Sequence, residues 1–376
     1  MPPDPVAIAA TVHAQLLGDG GTAGDVATIV RRVRAVAPLA SAAVVATAVA
    51  AVASRCTGLG PLDDLLADAL VSEVMVNGPG PVWVERAGVL HCTDVIVDVA
   101  TIEQLLERIV APLGLRLDRT SPLVDARLPD GSRVNAVVAP LAVDGPCLTI
   151  RRFGARAIPL IELCEPGVAD LLTWAVRGRC NLIVSGGTGA GKTTLLNALA
   201  AVIPPTERIV TVEDAAELRL AAPHVVRLEA RPGNADGVGA VSLRALVRNA
   251  LRMRPDRIVV GEARGPEALD VLQAMNTGHE GSLSTCHANS PTDALRRLET
   301  MVLMGDVALP LDAVRDQIAA SVDFVVHIER GGGGARRVVA VAEVVDGWAG
   351  AGDRVRLLAD VTGVLTPPSR PARTTR

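Results

Sequence analysis

The chain has 376 residues, of which 49% are apolar, enough for the cores of about two domains with appendages. The net charge of −4 and an aromatic content of 1% argue against a general nucleic-acid-binding surface, since single strands stack on aromatic side chains. The six cysteines form no C-x-x-C pair, which excludes the usual zinc and redox motifs and fits a reducing cytoplasm.

Residues 1–57 are predicted to be a helical N-terminal extension. The uncharged run 35–54 is long enough to span a membrane. However, Pro38 interrupts the run, and Val45, Val49 and Val52 recur at the spacing of a packed helix. We expect a packed helix, with a membrane span as the alternative. The first 25 residues lack the apolar core of a signal peptide.

The sequence pattern changes after the Ala-rich N-terminal stretch, from Gly58 onward. Residues 58–153 are predicted to be an α+β domain. Short apolar runs separated by turn residues indicate strands, and Pro129-Asp130-Gly131 indicates a hairpin turn between Arg127 and Arg133. The predicted helices are 62–70 and 101–110, and the predicted strands are 73–77, 82–85, 89–93 and 148–152. Phe153-Gly154 is the expected hinge.

Residues 154–346 alternate strand and helix patterns, which is typical of a parallel sheet covered by helices. The predicted strands are 181–185, 208–213, 225–229, 257–261 and 281–285, and the predicted helices are 167–177, 192–202, 243–252, 266–276 and 292–304. An antiparallel finish, 322–329 and 338–345, surrounds a run of four glycines. Residues 347–376 are predicted to be a C-terminal extension whose last ten residues are disordered, because they are rich in Pro and Arg.

One stretch inside this α/β region carries the strongest chemical signal. The sequence reads G-x-x-x-x-G-K-T between an apolar strand and a helix pattern, which is the context that a P-loop requires. Glycine backbone N–H groups and the helix N-terminus bind phosphates, and the lysine, the only one in the chain, reaches the β- and γ-phosphates. The predicted binding residues are Gly186, Gly187, Thr188, Gly189, Ala190, Gly191, Lys192, Thr193 and Thr194.

Two later strands end in carboxylates. Glu213 and Asp214 close one of them and are candidates to orient Mg²⁺ together with Thr193, although a solvated acidic turn is the alternative. Glu262 closes the other and is the candidate general base and a further candidate metal ligand. Gly261 occupies the position where many P-loop proteins have a metal-binding Asp, which leaves the second metal ligand open.

Three further side chains are candidates on weaker grounds. His287 follows a strand and could sense the γ-phosphate, but a lone histidine is more often structural. The hairpin spacing of Arg127 and Arg133 can place both guanidinium groups on one side, where they could bind phosphate. Ion pairs with the nearby Asp125 and Asp130 are the alternative.

Together these segments resemble the secretion ATPases of type II and type IV secretion and of type IV pili, most closely the tight-adherence (Tad/Flp) pilus branch. The resemblance covers about residues 58–343. It rests on the P-loop, an acidic box at 211–218, the Leu-Arg-Met-Arg-Pro-Asp segment that leads to Glu262, and a histidine box at 278–289. It implies a RecA-like core with an N-terminal domain, assembled as a hexamer that uses ATP and Mg²⁺.

By this resemblance Glu213 is the carboxylate of the acidic box, Glu262 is the general base and His287 is the residue of the histidine box. Arg127 and Arg133 match arginines that reach the nucleotide. We therefore expect a cytoplasmic motor ATPase, peripheral to the inner face of the cell membrane, that works with a polytopic membrane platform protein and has no direct nucleic-acid contact. The alternative is a RecA-like nucleic-acid translocase or a conjugative DNA-transfer ATPase.

Overall fold

The computed structural model describes residues 4–18, 26–128, 130–152, 158–231, 239–346 and 354–373. The chain divides into two compact units, Met1–Ala155 and Arg156–Arg376. The hinge predicted at Phe153-Gly154 lies outside the described residues. Each unit has its own apolar cores and is presented by itself.

Within the described residues, the first unit begins with three helices, α1 (Pro5–Gly18), α2 (Val26–Val36) and α3 (Ala42–Thr57). They share a small apolar core that includes Val12, Val33 and Val52. The expected single helix over 35–54 is wrong: helix stops at Val36 and resumes at Ala42, because Pro38 cannot donate a backbone hydrogen bond. No helix in the described ranges is long and apolar enough to cross a membrane.

The rest of the first unit is an antiparallel sheet covered on one face by a helix. In the described chain its strands lie in the order β3-β2-β1-β6-β5-β4. Helix α5 buries Ile102, Leu105 and Ile109 against one face of this sheet. The elements are α4 (Asp63–Ala67), β1 (Val71–Asn77), β2 (Gly80–Arg86), β3 (Val89–Val97), α5 (Val99–Val110), β4 (Leu123–Arg127), β5 (Arg133–Val137) and β6 (Cys147–Arg151).

The second unit contains, in its described part, a nine-stranded sheet in the order β15-β14-β13-β12-β7-β11-β10-β8-β9. The strands are β7 (Leu182–Gly186), β8 (Ile209–Glu213), β9 (Val225–Glu229), β10 (Arg257–Val260), β11 (Leu283–His287), β12 (Phe324–Arg330), β13 (Arg336–Val344), β14 (Val355–Asp360) and β15 (Gly363–Val364). Six of them, β7 to β12, run parallel, and β13 to β15 continue antiparallel at one edge.

Helices cover both faces of this sheet, which is why β7, β8 and β10 are mainly apolar and are buried along their whole length. One face packs against α6 and α7, and the other against the remaining helices. The helices are α6 (Pro166–Arg177), α7 (Lys192–Ala200), α8 (Leu243–Ala250), α9 (Glu267–Asn276), α10 (Pro291–Leu303) and α11 (Leu311–Ser321). The predicted α/β fold with an antiparallel finish is confirmed.

The C-terminal stretch differs from its prediction. β14 and β15 belong to the large sheet, although the sequence analysis set residues 347–376 apart as an extension. Residues 367–373 are held in place rather than disordered. Arg370 and Arg373 both pair with the buried Asp323, and the backbone N–H of Ser369 donates to Glu343 at 2.9 Å. These ion pairs join residues far apart in sequence, so composition alone does not reveal them.

Candidate active site

The predicted P-loop connects β7 to α7 at the carboxyl edge of the large sheet. Gly189 and Gly191 have φ angles of +70° and +103°, a backbone conformation that other residues rarely adopt. The Lys192 ammonium donates to the carbonyl oxygens of Gly186 at 3.1 Å and Gly187 at 3.0 Å, so it lies across the loop. The result is a cationic cradle at a helix N-terminus, which suits a polyphosphate.

The parallel strands bring the other predicted core residues to the same edge. β11 lies between β7 and β10, and its last residue, His287, pairs with Gly186 at the start of the loop. Burial raises the pKa of the neighbouring Cys286 thiol to about 12, and the charges of Glu262 and Lys192 also act on this thiol. Glu262, the candidate base, and Lys192 of the P-loop are therefore both close enough to Cys286 to affect its pKa.

Glu213, at the end of β8, is 2% exposed. Its Oε2 accepts hydrogen bonds from the backbone N–H groups of Glu217 at 2.7 Å and Leu218 at 2.9 Å. Its Oε1 is buried and has no hydrogen-bond partner among the described residues. Burial raises the pKa of Glu213 to about 7, against the two backbone donors, which lower it. A buried carboxylate oxygen of this kind is a natural place for a cation.

Glycine at position 261 has a packing explanation. A Cβ atom built on Gly261 would lie 3.0 Å from Cγ of Glu213, tighter than an ordinary contact. A side chain at this position would therefore require Glu213 to shift by a few tenths of an ångström. The Glu213 side chain occupies the space beside Gly261, so the carboxylate at this place comes from β8 rather than from β10.

Glu262 is held by an arginine that the sequence analysis did not single out. Its Oε2 accepts from Nε of Arg264 at 2.9 Å and from Nη2 at 2.7 Å, and Nη1 lies 3.9 Å from Oδ2 of Asp214. The hydrogen bond with Glu262 holds the pKa of Arg264 above its usual range. An arginine two residues after an acidic strand end was the signal that could have identified it.

The donor set at this edge fits Mg²⁺, which takes oxygen ligands. No group of three or more His, Cys, Asp or Glu side chains suited to a metal occurs in the described part of the chain. Mg²⁺ needs no such cage, because it usually keeps waters and binds one or two carboxylates plus substrate phosphates. The free oxygen of Glu213 and the hydroxyl of Thr193 are donors of the right kind.

The two predicted arginines belong to the other unit. Arg127 and Arg133 are direct partners across β4 and β5, and Arg133 is also opposite Arg151 of β6. Cross-strand partners point to the same face of a sheet, so the predicted common side for both guanidinium groups agrees with the register. Nε of Arg127 donates to the Gly131 carbonyl at 3.3 Å. Pro129 lies outside the described residues.

Comparisons with known proteins identify the family of this chain. The family model described as "Type II/IV secretion system protein" matches residues 55–331. A putative conjugal transfer protein of Mycobacterium tuberculosis is 42% identical over 298 residues, covering 76% of this chain and 84% of the relative. The type IV secretion system protein PtlH of Bordetella pertussis is 38% identical over 317 residues, covering 74% of this chain and 90% of the relative.

A solved structure shows the same fold. The ATPase DotB of Legionella pneumophila superimposes with a TM-score of 0.56 at 20% identity, covering 76% of this chain and 79% of DotB. The predicted fold of the second unit and the predicted kinship with type II/IV secretion system proteins are confirmed. The chain belongs to the type II/IV secretion system protein family.

Proposed function

We propose that this chain binds and hydrolyses ATP at the carboxyl edge of its large sheet and uses the energy to drive a machine of the cell envelope. One observation carries the proposal. The P-loop with Lys192 follows β7, and the acidic residues Glu213 and Glu262 lie at the ends of β8 and β10, so all three are at the carboxyl edge of one sheet. Parallel α/β sheets bind their ligands at this edge.

Each core residue then has a role that its chemistry suits. The backbone N–H groups from Gly186 to Thr194 hold the phosphates, and Lys192 neutralises the β- and γ-phosphates. Glu262 orients the attacking water and accepts its proton. Arg264 fixes the direction of that carboxylate through two hydrogen bonds to one oxygen, which leaves the other oxygen for water. His287, beside the loop, is the candidate that detects the γ-phosphate.

Mg²⁺ would neutralise phosphate charge during hydrolysis. The residues that would hold it are Thr193, through its hydroxyl, and Glu213, through its unpartnered oxygen. Asp214 and Glu262 are outer positions that can act through water. Asp214 is half exposed and lies near Arg264, which makes it a weaker ligand than Glu213.

Arg127 and Arg133 are proposed to contact the γ-phosphate as arginine fingers. A finger that acts in the transition state can contribute about 10³-fold or more to kcat. Arg133→Ala should then keep nucleotide affinity within about tenfold and lose most turnover, the pattern of a transition-state contact. Normal kcat would reject the role, and an unfolded variant would favour structural ion pairs with Asp125 or Asp130 instead.

The working form is proposed to be a hexamer of the Tad/Flp pilus-assembly type. It would lie at the inner face of the cell membrane, bound to a polytopic platform protein. Support comes from the motif order and from a relative that is named as a type IV secretion system protein. This site would hydrolyse ATP in the cytoplasm, and the platform would transmit the work to the pilus or the secreted substrate.

A conjugative DNA-transfer role is the second candidate, because the relative from Mycobacterium tuberculosis is named a putative conjugal transfer protein. The negative net charge and the scarcity of aromatic residues favour a motor that does not itself bind DNA. Stimulation of ATP hydrolysis by single- or double-stranded DNA would reverse this preference.

The decisive experiment measures ATP hydrolysis and assembly on the same full-length preparation. Wild-type protein should release phosphate from ATP in the presence of Mg²⁺, and Lys192→Ala should not. Light scattering at micromolar concentration, with Mg²⁺ and a non-hydrolysable ATP analogue, should give a hexamer. Absence of hydrolysis by the wild type would reject the enzyme assignment, and a monomer under these conditions would reject the ring.

A further inference from the structure

The hairpin of β12 and β13 lies beside the P-loop. β12 runs parallel to β7, with His327 paired to Ser185, so its carboxyl end emerges next to Gly186. The approach is close, since a Cβ atom built on Gly186 would lie 2.5 Å from the carbonyl oxygen of Ile328. The tip of the hairpin therefore shares the ligand edge of the sheet with the phosphate-binding loop.

Two arginines of this hairpin lie against the glycines of the loop. Arg330 ends β12, Arg336 begins β13, and the two are direct cross-strand partners. A Cβ atom on Gly191 would lie 2.6 Å from Cδ of Arg336, and one on Gly189 would lie 3.6 Å from Nη1 of Arg330. Both side chains thus cover the backbone that the proposed function assigns to phosphate binding.

Arg336 also holds a side chain of the loop. Its Nη1 donates to Oγ1 of Thr194 at 3.0 Å, and Thr194 lies in the first turn of α7. In P-loops the lysine reaches the β- and γ-phosphates, whereas backbone N–H groups cradle the α- and β-phosphates. Thr194 follows Lys192 and Thr193 into the helix. Its contact with Arg336 therefore places the guanidinium beside the first turn of α7, next to the backbone N–H groups that cradle the α- and β-phosphates.

We propose that Arg336 is a nucleotide-binding residue that contacts the α-phosphate, and that Arg330 closes the same side of the loop. The proposal rests on ATP binding at the P-loop, as proposed above. Arginine is a permanent cation with several donors in a planar fork, so it can keep Thr194 and add a phosphate oxygen. The α-phosphate is common to ATP and ADP, and the contribution is therefore to the binding of both rather than to hydrolysis.

The neighbouring Arg337 offers a matched control. Successive residues of a strand point to opposite faces, and Arg337 instead binds Glu165, which precedes α6. Arg336→Ala and Arg337→Ala remove the same charge from adjacent positions, but only the first removes a contact with the loop. Comparable thermal unfolding of the two variants would show that both are folded.

The experiment is calorimetric titration of full-length protein with ADP and, separately, with a non-hydrolysable ATP analogue, both with Mg²⁺. Loss of one charge-assisted contact should raise Kd by roughly 10- to 100-fold for Arg336→Ala, by the same factor for both ligands. Arg337→Ala should stay within about twofold of the wild type. Arg336→Lys, which keeps the charge and most of the stem, should fold even if Arg336→Ala does not, and it should bind with intermediate affinity.

Three results would contradict this inference. A wild-type Kd in Arg336→Ala would show that Arg336 does not contact the nucleotide. If only Arg336→Lys folds, a wild-type Kd in that variant would show the same. A loss confined to the ATP analogue would place Arg336 at the γ-phosphate instead. Failure of the wild-type protein to bind either nucleotide would overturn the proposed function and this inference together, and that result differs from a defect restricted to Arg336.

Discussion

The two ends of the large sheet treat buried charge differently. At the amino ends of the parallel strands, Asp323 is buried and its carboxylate accepts from the Asn181 backbone N–H, Arg370 and Arg373 at 2.7–3.2 Å. At the carboxyl ends, Glu213 is equally buried, but one of its oxygens has no partner among the described residues. Buried polar groups are normally paired, so this carboxylate oxygen is able to receive a ligand. Nδ1 of His279, which precedes β11 at the amino end, is also buried without a hydrogen-bond partner among the described residues, so the contrast is between these two carboxylates.

Arg257 extends the same contrast. It is fully buried at the amino end, where it pairs with Glu207 and donates to the carbonyls of Val176 at 2.6 Å and Gly281 at 3.2 Å. These partners hold the guanidinium within the described part of the protein and give it a structural role. We therefore expect substitutions at the amino end to change mainly stability and substitutions at the carboxyl end to change mainly chemistry.

The largest expected effect is on chemistry. Glu262→Gln should lower kcat for ATP hydrolysis by about 10²- to 10⁴-fold, because an amide can hydrogen-bond but cannot accept the proton of the attacking water. Steady-state phosphate release at saturating ATP measures this effect. Nucleotide affinity and the midpoint of thermal unfolding should stay close to those of the wild type, since the side chain is partly exposed.

A Glu262→Gln variant that hydrolyses ATP at the wild-type rate would remove Glu262 from the chemistry. It would then be a structural partner of Arg264 only. Unfolding of the variant would contradict the contrast between the two ends of the sheet, because Glu262 at the carboxyl end would then be needed for stability, like the charged network at the amino end.

The second effect is on stability. Asp323→Ala should destabilise the protein by roughly 3–5 kcal/mol, because it leaves two arginines and a buried backbone N–H without their common partner. Urea unfolding followed by tryptophan fluorescence is suitable, since Trp174 packs edge-on against Phe324, with ring centroids 6.3 Å apart. Among molecules that remain folded, kcat should be nearly unchanged.

The same substitution at an exposed acid is the control. Asp306 is also paired with an arginine, Arg244, at 3.2 Å, but its side chain is 92% exposed. Asp306→Ala should therefore change stability by less than about 1 kcal/mol. Equal effects of the two substitutions would show that the amino-end network is no more important than a surface ion pair.

The sequence predicts the parts of this architecture that depend on neighbouring residues. The P-loop is a local motif, and the carboxylates Glu213 and Glu262 follow apolar runs that are recognisable as buried strands. Parallel strands place their ends together, which is why these residues could be assigned to one edge before their distances were known.

The rest depends on contacts that are distant in sequence. Arg336 reaches Thr194 only because β12 is placed beside β7, and Asp323 meets Arg370 and Arg373 across the amino end of the sheet. In a chain with many arginines, no local pattern separates these from arginines on the surface. Strand β14 was also missed, since its neighbours β13 and β15 in the sheet rather than its own pattern define it.

The smallest expected effect concerns the unpartnered carboxylate itself. Burial raises the pKa of Glu213 from 4.5 to about 7, so the folded protein keeps a proton there that the unfolded chain releases at lower pH. The stability that this proton contributes is present below pH 4.5 and is lost as the pH rises through about 7.

Glu213→Gln mimics the protonated form. In metal-free buffer its advantage over the wild type should therefore grow from near zero at pH 4.5 to about 3 kcal/mol at pH 8. Urea unfolding of both proteins at a series of pH values measures the difference. A difference independent of pH would mean that the pKa of Glu213 is the same in the folded and unfolded protein, and the carboxyl end would then be as fully compensated as the amino end.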